Sequence, residues 1–297
     1  MILVVGSTGI LGTAICKRLR GKGAAVRGLV RTGSPKEAQL KDMGVEIAYG
    51  DLKDPGSIAQ ACEGVTCVVS TANSMMSRRK GDTFKTVDHD GQLGLVEAAK
   101  KAGVGHFVLV SVAPASPDCE FIRAKRVVEK AIRDSGMTWT ILQPSGFMEI
   151  MFSPMAGWDP VKGKARVVGA GDVPHSAISL YDVAEFTVMA TEREDMRGRV
   201  LPLGGPASIT SMDAVKAFEK ATGKEFKVDR APAPILKIMS AVLRPFNQPL
   251  STVLTFASSH EAENIDMTTV VSEFPVKLTS LEEVVQRAVS GSNPPAS

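Results

Sequence analysis

Gly6, Gly9 and Gly12 are spaced G-x-x-G-x-x-G and directly follow the apolar, β-branched run Ile2 to Val5. A helical pattern begins inside the motif, with Leu11, Ile15 and Leu19 on one stripe and Lys17, Arg18 and Arg20 off it. Strand, glycine turn and helix is the order that a dinucleotide site requires. The turn needs a residue without a Cβ, a pyrophosphate needs close backbone approach, and the first-turn amides with the helix dipole attract an anion. The segment Gly6, Ser7, Thr8, Gly9, Ile10, Leu11 and Gly12 is therefore expected to hold the pyrophosphate. A glycine turn that merely joins strand to helix is the plainer alternative.

A second chemical signal is Arg31, at the end of the run Ala25 to Val30 and ~20 residues beyond the glycines, where a site for NAD places an acidic residue on the ribose 2′-hydroxyl. A guanidinium followed by Thr32, Ser34 and Lys36 suits a 2′-phosphate, so NADP(H) is the expected cofactor. An ordinary solvated arginine is the competing reading. The third signal is Lys125. On a wheel of ~100° per residue, Phe121, Lys125, Val128 and Ile132 share one stripe of a helix, while Arg123, Arg126, Lys130 and Arg133 fall opposite. A lysine on the sheet-facing stripe needs a partner or a watery cleft, and a cofactor ribose would supply one.

These residues must be positioned by elements, and the chain supplies them in a regular order. Val45 to Tyr49 read as a third strand running into Gly50-Asp51-Leu52, and Asp51 there can accept from an adenine amino group or serve as a turn residue. Thr66 to Ser70 read as a fourth strand, whose end, Ser70, Thr71, Ala72 and Asn73, belongs beside cofactor phosphates and ribose. Ser74 to Asp82, with Met75, Met76, Arg78, Arg79 and Lys80, is either a lid over the substrate or a surface loop. Thr83 to Ala102 read as one long helix in which Gly91 permits close packing, and His106 at the entrance of the fifth strand reads as structural. After a sixth strand, Thr138 to Leu142, the residues Pro144, Ser145, Gly146 and Phe147 turn over the site. The βαβα alternation predicts an α/β fold, a doubly wound parallel sheet (residues 1–150), with a smaller substrate-capping region (151–297) interwoven with it through elements near 177–203. Met148 to Phe152 and Trp158 either line an apolar pocket or pack as core.

Composition narrows the partners. The 297 residues carry 35 Lys and Arg against 32 Asp and Glu, a net +3, which argues for small-molecule partners and against nucleic acid or a membrane surface. The first strand leaves no room for a secretory leader, no apolar run reaches the ~18 residues of a span, and a cytoplasmic protein is expected. Cys16, Cys62, Cys67 and Cys119 form no C-x-x-C pair, and His89, His106, His175 and His260 have no zinc-binding spacing, so reduced thiols and no metal are expected. Ser290 to Ser297 read as a disordered tail.

With G-S-T-G-I-L-G, L-V-R at Leu29 to Arg31, G-D-L at Gly50 to Leu52, A-A-K-K-A-G-V at Ala98 to Val104, Lys125 and W-T-I-L-Q-P-S-G-F at Trp139 to Phe147, the chain resembles the NmrA-like atypical short-chain dehydrogenases/reductases. The resemblance implies an extended Rossmann fold, NADP(H) on Gly6 to Gly12 and Arg31, Lys125 at the nicotinamide ribose, and a substrate cleft under the carboxyl-terminal region. Family members include reductases of quinones and aromatic plant metabolites, and redox sensors without turnover. The wider superfamily places a tyrosine four residues before its lysine, but here that residue is Phe121. Tyr49 and Lys53 share the spacing by coincidence, and Ser111 is the one candidate near the usual serine. The expected activity is hydride transfer from NADPH to a flat conjugated electrophile such as a quinone or enone, with an apolar or aromatic substrate and a monomer or homodimer. An NADP(H) sensor is the alternative.

Overall fold

The computed structural model describes residues 1–77, 79–114, 117–259 and 264–291. Arg78, His260 and the tail beyond residue 291 lie outside them. The chain runs β1 (Ile2–Val5), α1 (Ile10–Gly21), β2 (Val26–Val30), α2 (Glu37–Asp42), β3 (Glu46–Tyr49), α3 (Pro55–Cys62) and β4 (Cys67–Ser70). A π-helix, Phe84–Gly91, then passes into α4 (Gln92–Lys101), followed by β5 (His106–Val110), α5 (Glu120–Arg133), β6 (Thr138–Pro144), β7 (Gly146–Phe147) and α6 (Met148–Met151). The remainder is β8 (Lys164–Val168), β9 (His175–Ile178), α7 (Leu180–Glu192), β10 (Arg199–Leu203), β11 (Ser208–Ile209), α8 (Ser211–Thr222), β12 (Lys227–Ala231), α9 (Ala233–Leu243), α10 (Gln248–Ser258), α11 (Thr268–Glu273) and α12 (Leu281–Ser290).

Seven parallel strands form the central sheet in the order β10-β6-β5-β4-β1-β2-β3. The order reverses between β1 and β4, whose registers pair Val5 with Ser70, and the crevice of a doubly wound sheet opens at that switch point. β1, β4 and β5 are almost wholly buried because helices cover both faces, which explains their unbroken apolar sequences. One face packs Ile15 and Leu19 of α1 against Val183 and Phe186 of α7 and against Phe274. The other packs Ile58, Leu95, Val128 and Ile132 from α3, α4 and α5. β10 joins this sheet beside β6, so the carboxyl-terminal half contributes an edge strand to the first.

Outside the sheet, β8 pairs with β12 over a core containing Phe152, Trp158, Phe218 and Phe226, with Phe152 and Trp158 edge to face at 5.0 Å. Trp158 is core, and Met148 and Phe152 are buried with it. Asp182 ties the carboxyl-terminal segment to α7 by accepting from the Thr279 amide (2.7 Å) and hydroxyl (2.6 Å). Arg18, expected off the apolar stripe of α1, is buried: it bonds Glu185 of α7 at 3.1 Å and lies over the Tyr181 ring. His106 is structural, held by the Thr138 hydroxyl and the Ala190 carbonyl, with burial lowering its pKa.

The helix expected over 83–102 is two elements. Thr83 and Thr86 cap the π-helix reciprocally, and a Cβ on Gly91 would meet Leu52 at 2.9 Å. Gly91 thus lets the widened turn press against the loop after β3, and the wider winding re-aims Phe84 and Asp88 relative to an α-helix.

Candidate cofactor and active site

Each of the three glycines answers a different demand. Gly6 sits at φ +90°, and a Cβ there would lie 2.6 Å from Thr71 Oγ1 and 2.8 Å from the Ala72 amide nitrogen. A Cβ on Gly12 would come within 2.1 Å of the Gly6 carbonyl oxygen. Both are required by the fold itself. A Cβ on Gly9 would meet only the Gly6 carbonyl oxygen, at 3.2 Å, so the loop opens outward there. Gly9 is also the N-cap of α1; it has no side chain to cap the helix, and no acid occupies the first turn. Exposed Gly9 and Ile10, with half-buried Thr8 and Leu11, form a rim at a helix N-terminus beside the sheet's switch point, where the Gly9 amide closes the loop on the Gly6 carbonyl and the first-turn amides of α1 face outward. That cradle fits a dinucleotide pyrophosphate.

The side chains of several residues expected beside the cofactor bond or pack within the scaffold. Ser7 is fully buried and its hydroxyl donates to the Leu29 carbonyl, pinning the glycine loop to β2. Leu52 packs in the core. Ser70 is fully buried and donates to Gln92, whose amide donates in turn to the Ala72 carbonyl. Gln92, which showed no signal in the sequence, thereby holds the end of β4 in place. Asp51 forms a turn, accepting from the Lys53 amide at 3.0 Å.

At the ends of β2 and β3 a charge cluster surrounds Asp82. Arg31 bonds Asp82 at 2.5 Å, and Lys53 and the Ser77 hydroxyl also donate to it. The Asp82 side chain is 1% exposed; burial would raise its pKa, but the bonds from Lys53, Ser77 and Arg31 prevail and hold it near 2. Arg79 reaches the Thr32 carbonyl from the same loop. The segment 74–82 is therefore docked through Asp82 and Arg79 at the adenosine end of the expected site, and Ser74 lies buried at its other end. Arg31 is not a free loop cation: it shares Asp82 with Lys53 and remains over a third exposed.

This ion cluster makes a stability prediction. A carboxylate depressed to about 2 contributes stability that is present above its ordinary value of 3.8 and is lost as pH falls through about 2. Asp82→Asn should destabilise the protein by about 1–2 kcal/mol near neutral pH, with the gap closing as pH drops toward 2. Denaturant unfolding at several pH values measures it, and a pH-independent gap would refute the assignment.

Lys125 occupies the other end of the crevice. It is 2% exposed, its ammonium makes no hydrogen bond to the described residues, and its nearest ring is Phe121, 5.5 Å away. Burial lowers its pKa, against the opposing pull of Asp88 and Glu129. Asp88, fully buried on the π-helix, accepts from the Ser74 amide (3.0 Å) and hydroxyl (2.5 Å) through Oδ2, while Oδ1 has no partner. Burial raises the Asp88 pKa, and Lys125 opposes the rise. The buried Ser145 hydroxyl, at the end of β6, is likewise unpartnered, although the Ser145 amide bonds the Leu203 carbonyl. An ammonium, a carboxylate oxygen and a hydroxyl with no partner among the described residues thus stand on the segments that follow β4, β5 and β6.

Ser111 does not join them. Its hydroxyl donates to buried Glu129, which also accepts from Arg126 and from Gln143 at 3.0 Å. Arg126, expected on the solvent face, folds back to the Val112 and Ala113 carbonyls. Glu129 lies one turn after Lys125 on the same face and braces the tops of β5 and β6; an acid among five cations on α5 was the one available signal for it.

The NmrA-like family profile matches residues 1–285. This chain belongs to the NmrA-like family. It is 30% identical over 298 residues to the photosystem II assembly factor Ycf39 of Synechocystis sp., covering 96% of this chain and 89% of that protein. It is 33% identical over 234 residues to the (4-alkanoyl-5-oxo-2,5-dihydrofuran-3-yl)methyl phosphate reductase of Streptomyces griseus, covering 77% and 76%. Among solved structures, the Citrobacter sp. triphenylmethane reductase complexed with NADP(H) superposes with a TM-score of 0.79 at 21% identity, covering 97% of this chain and 100% of that one, a likeness of fold.

This NmrA-like chain has two tyrosines, and neither stands near Lys125. Tyr49 is exposed on edge strand β3 and bonds Glu37. Tyr181 packs beside Arg18 on the opposite face of the sheet. Phe121, four residues before Lys125, packs on Phe84 with centroids 5.4 Å apart. A cavity of about 570 Å³ opens between the start of α5 and the α9–α10 pair, lined by Phe84, Cys119 and Glu120 and by Ser240, Ser251 and Thr255. Met148, Phe152 and Trp158, read as either pocket lining or core, are core, and this cavity is walled largely by hydroxyls. The four cysteines are all buried, and burial pushes the Cys16 and Cys67 thiols up to about 12. Among the described residues no group of three His, Cys, Asp or Glu side chains is arranged to hold a metal.

Proposed function

We propose that this protein is an NADPH-dependent reductase that passes hydride to a conjugated electrophile such as a quinone or enone, without an active-site tyrosine. The observation that carries the reading is Lys125, a 2%-exposed side chain whose ammonium makes no hydrogen bond to the described residues, within electrostatic reach of Asp88, whose Oδ1 also lacks a partner. Buried polar groups persist in that state when something else satisfies them, and the nicotinamide ribose with a reducible substrate is the partner that the family implies. Thr8 to Gly12 would cradle the pyrophosphate, Arg31 and Lys53 the 2′-phosphate, and the Thr71 to Asn73 turn the adjoining ribose. NADPH bound there supplies the hydride. Lys125 would hold the ribose hydroxyls and stabilise negative charge developing on the substrate oxygen, and its lowered pKa brings its proton closer to release at working pH. A quinone can also take its proton from water, so the absent phenol is tolerable. The reductase relative from Streptomyces griseus supports this class.

A second reading, an NADP(H) sensor that regulates a partner, draws on the relatives named as photosystem II assembly factors. NADPH oxidation across quinones, enones and aldehydes separates the two: turnover with any of them supports the reductase, and tight NADPH binding with none supports the sensor. Arg31→Asp should remove a preference for NADPH over NADH of roughly ten- to a hundredfold, since a charge-assisted contact to phosphate contributes ~1.5–3 kcal/mol. Equal dissociation constants for the two nucleotides in the unaltered protein would overturn the NADP(H) assignment.

A further inference from the structure

The 570 Å³ cavity shares an aromatic wall with the Lys125 end of the crevice. Phe84 lines the cavity and packs on Phe121, and the Lys125 ammonium lies over the Phe121 ring. Cys119 and Ile122 belong to the same apolar cluster, against which Phe256 of α10 packs. The facing wall is polar. Ser240 of α9 bonds the Ser251 carbonyl at 2.9 Å and the Thr255 hydroxyl at 2.7 Å, and Ser251 returns a bond to the Ser240 carbonyl, so the hydroxyls that join the two helices also line the cavity. A flat conjugated ring suits the aromatic end beside Lys125, and the hydroxylated end suits a part of the substrate that water would otherwise solvate.

The charges on the walls decide what that part carries. Lys237, Ser240 and Arg244 follow the i, i+3, i+7 spacing of one helical face, so both cations stand on the cavity side of α9 with Ser240. Among the described residues neither cation has an ion-pair partner, and no Asp or Glu occurs across residues 232–259. The two acids on the α5 side are already answered. Both Asp118 oxygens accept from Arg123, at 2.8 and 2.7 Å, and Glu120 stands in the first turn of α5, where the helix N-terminus meets its charge. Two unanswered cations therefore face a polar cavity that ends on the aromatic rings beside Lys125, and an anionic group on the substrate complements them. We propose that this cavity is the substrate pocket and that it selects an anionic conjugated electrophile, a quinone or enone bearing a carboxylate, sulfonate or phosphate, with its ring toward Phe84 and Phe121 and its anionic group on Lys237 and Arg244. The fate of the ring rests on the reductase reading above, whereas the charge preference comes from the cavity alone.

1,4-Naphthoquinone and its 2-sulfonate test the pocket on the full chain. With either, hydride from NADPH and one proton from water give the hydroquinone and NADP+. Partly exposed cations each contribute only a few-fold, so the double variant Lys237→Gln/Arg244→Gln is the decisive one: it should lower the sulfonate-to-parent ratio of kcat/KM by roughly tenfold, through KM for the sulfonate. Arg244→Glu should lower the ratio further than Arg244→Gln, and Lys237→Arg should keep it. Both positions are exposed, so thermal unfolding should not move. Titration calorimetry of the sulfonate into the protein with NADP+ present reads the same site without turnover, and the double variant should weaken that binding by a similar factor. Sulfonate binding that the double variant weakens, in a protein that turns over no electrophile, would refute the reductase reading and leave the anion site standing. Turnover whose sulfonate-to-parent ratio the double variant leaves unchanged would overturn the anion site and leave the reductase standing. Absence of any sulfonate binding by the unaltered protein would also overturn the anion site.

Discussion

Gly9→Val should abolish NADPH binding while leaving the protein folded, and Gly12→Ala should damage the fold itself. The difference lies in what each new side chain meets. On Gly12 a Cβ falls 2.1 Å from the Gly6 carbonyl, inside the loop, and the backbone must move. On Gly9 it meets that carbonyl only at 3.2 Å, so valine is accommodated by a small shift and projects its branches into the space where a pyrophosphate must approach the amides. Loss of the phosphate contacts should weaken NADPH binding on the order of a hundredfold or more, with thermal unfolding within a few degrees of the unaltered protein. Titration calorimetry alongside a melting curve reads both. Normal NADPH affinity in the Gly9→Val protein would mean that the motif only joins a strand to a helix.

Lys125→Met should have the second large effect. If Lys125 holds the ribose hydroxyls, NADPH affinity should fall by ~1.5–3 kcal/mol, roughly ten- to a hundredfold, with a slow residual reaction toward quinones. If it also stabilises charge on the substrate oxygen or donates a proton, the rate at saturating NADPH should fall further for enones and ketones than for quinones. The pH dependence separates the lysine from a spectator. Burial has lowered its pKa, so the rate that depends on the protonated ammonium should decline as pH rises through a value below the ordinary 10.5, and Lys125→Met should lose that limb. Asp88→Asn keeps an acceptor for Ser74 but removes the negative charge facing Lys125, so the limb should move to lower pH. Unchanged affinity and turnover in Lys125→Met would assign the residue to packing with Phe121.

Much of the scaffold was legible because local chemistry is imposed by short spacings. Buried parallel strands need continuous apolar runs, and a pyrophosphate turn needs residues without side chains, so Ile2 to Gly12 announced both the sheet and its crevice. Lys125 was legible for a related reason, since a helical stripe that must face a core makes a cation on it anomalous. The elements most easily misread were those whose partners lie far along the chain. Arg126 reads as one of four solvent-facing cations until the loop at Val112 and Ala113 is brought beneath it, and Ser111 reads as a candidate hydroxyl until Glu129 is brought within reach.

By itself the sequence determined the parallel α/β architecture, the glycine cradle and the inward lysine, because each depends on periodicity and side-chain volume within a few turns or strands. The tertiary structure alone decided how those parts are occupied. Asp82, 51 residues beyond Arg31, binds that cation, a π-helix carries Asp88 to Ser74 and within electrostatic reach of Lys125, and Gln92 joins Ser70 in fixing the edge of the crevice. It also decided the orientation of α9, whose Ser240 turns toward α10 while Ile235, Ile238, Met239 and Val242 stay exposed. Apolar residues occur all around that helix, and only the bonds from Ser240 to Ser251 and Thr255 in α10 choose which of them turn inward. Pairings of this kind depend on distances between remote segments, which no local spacing encodes.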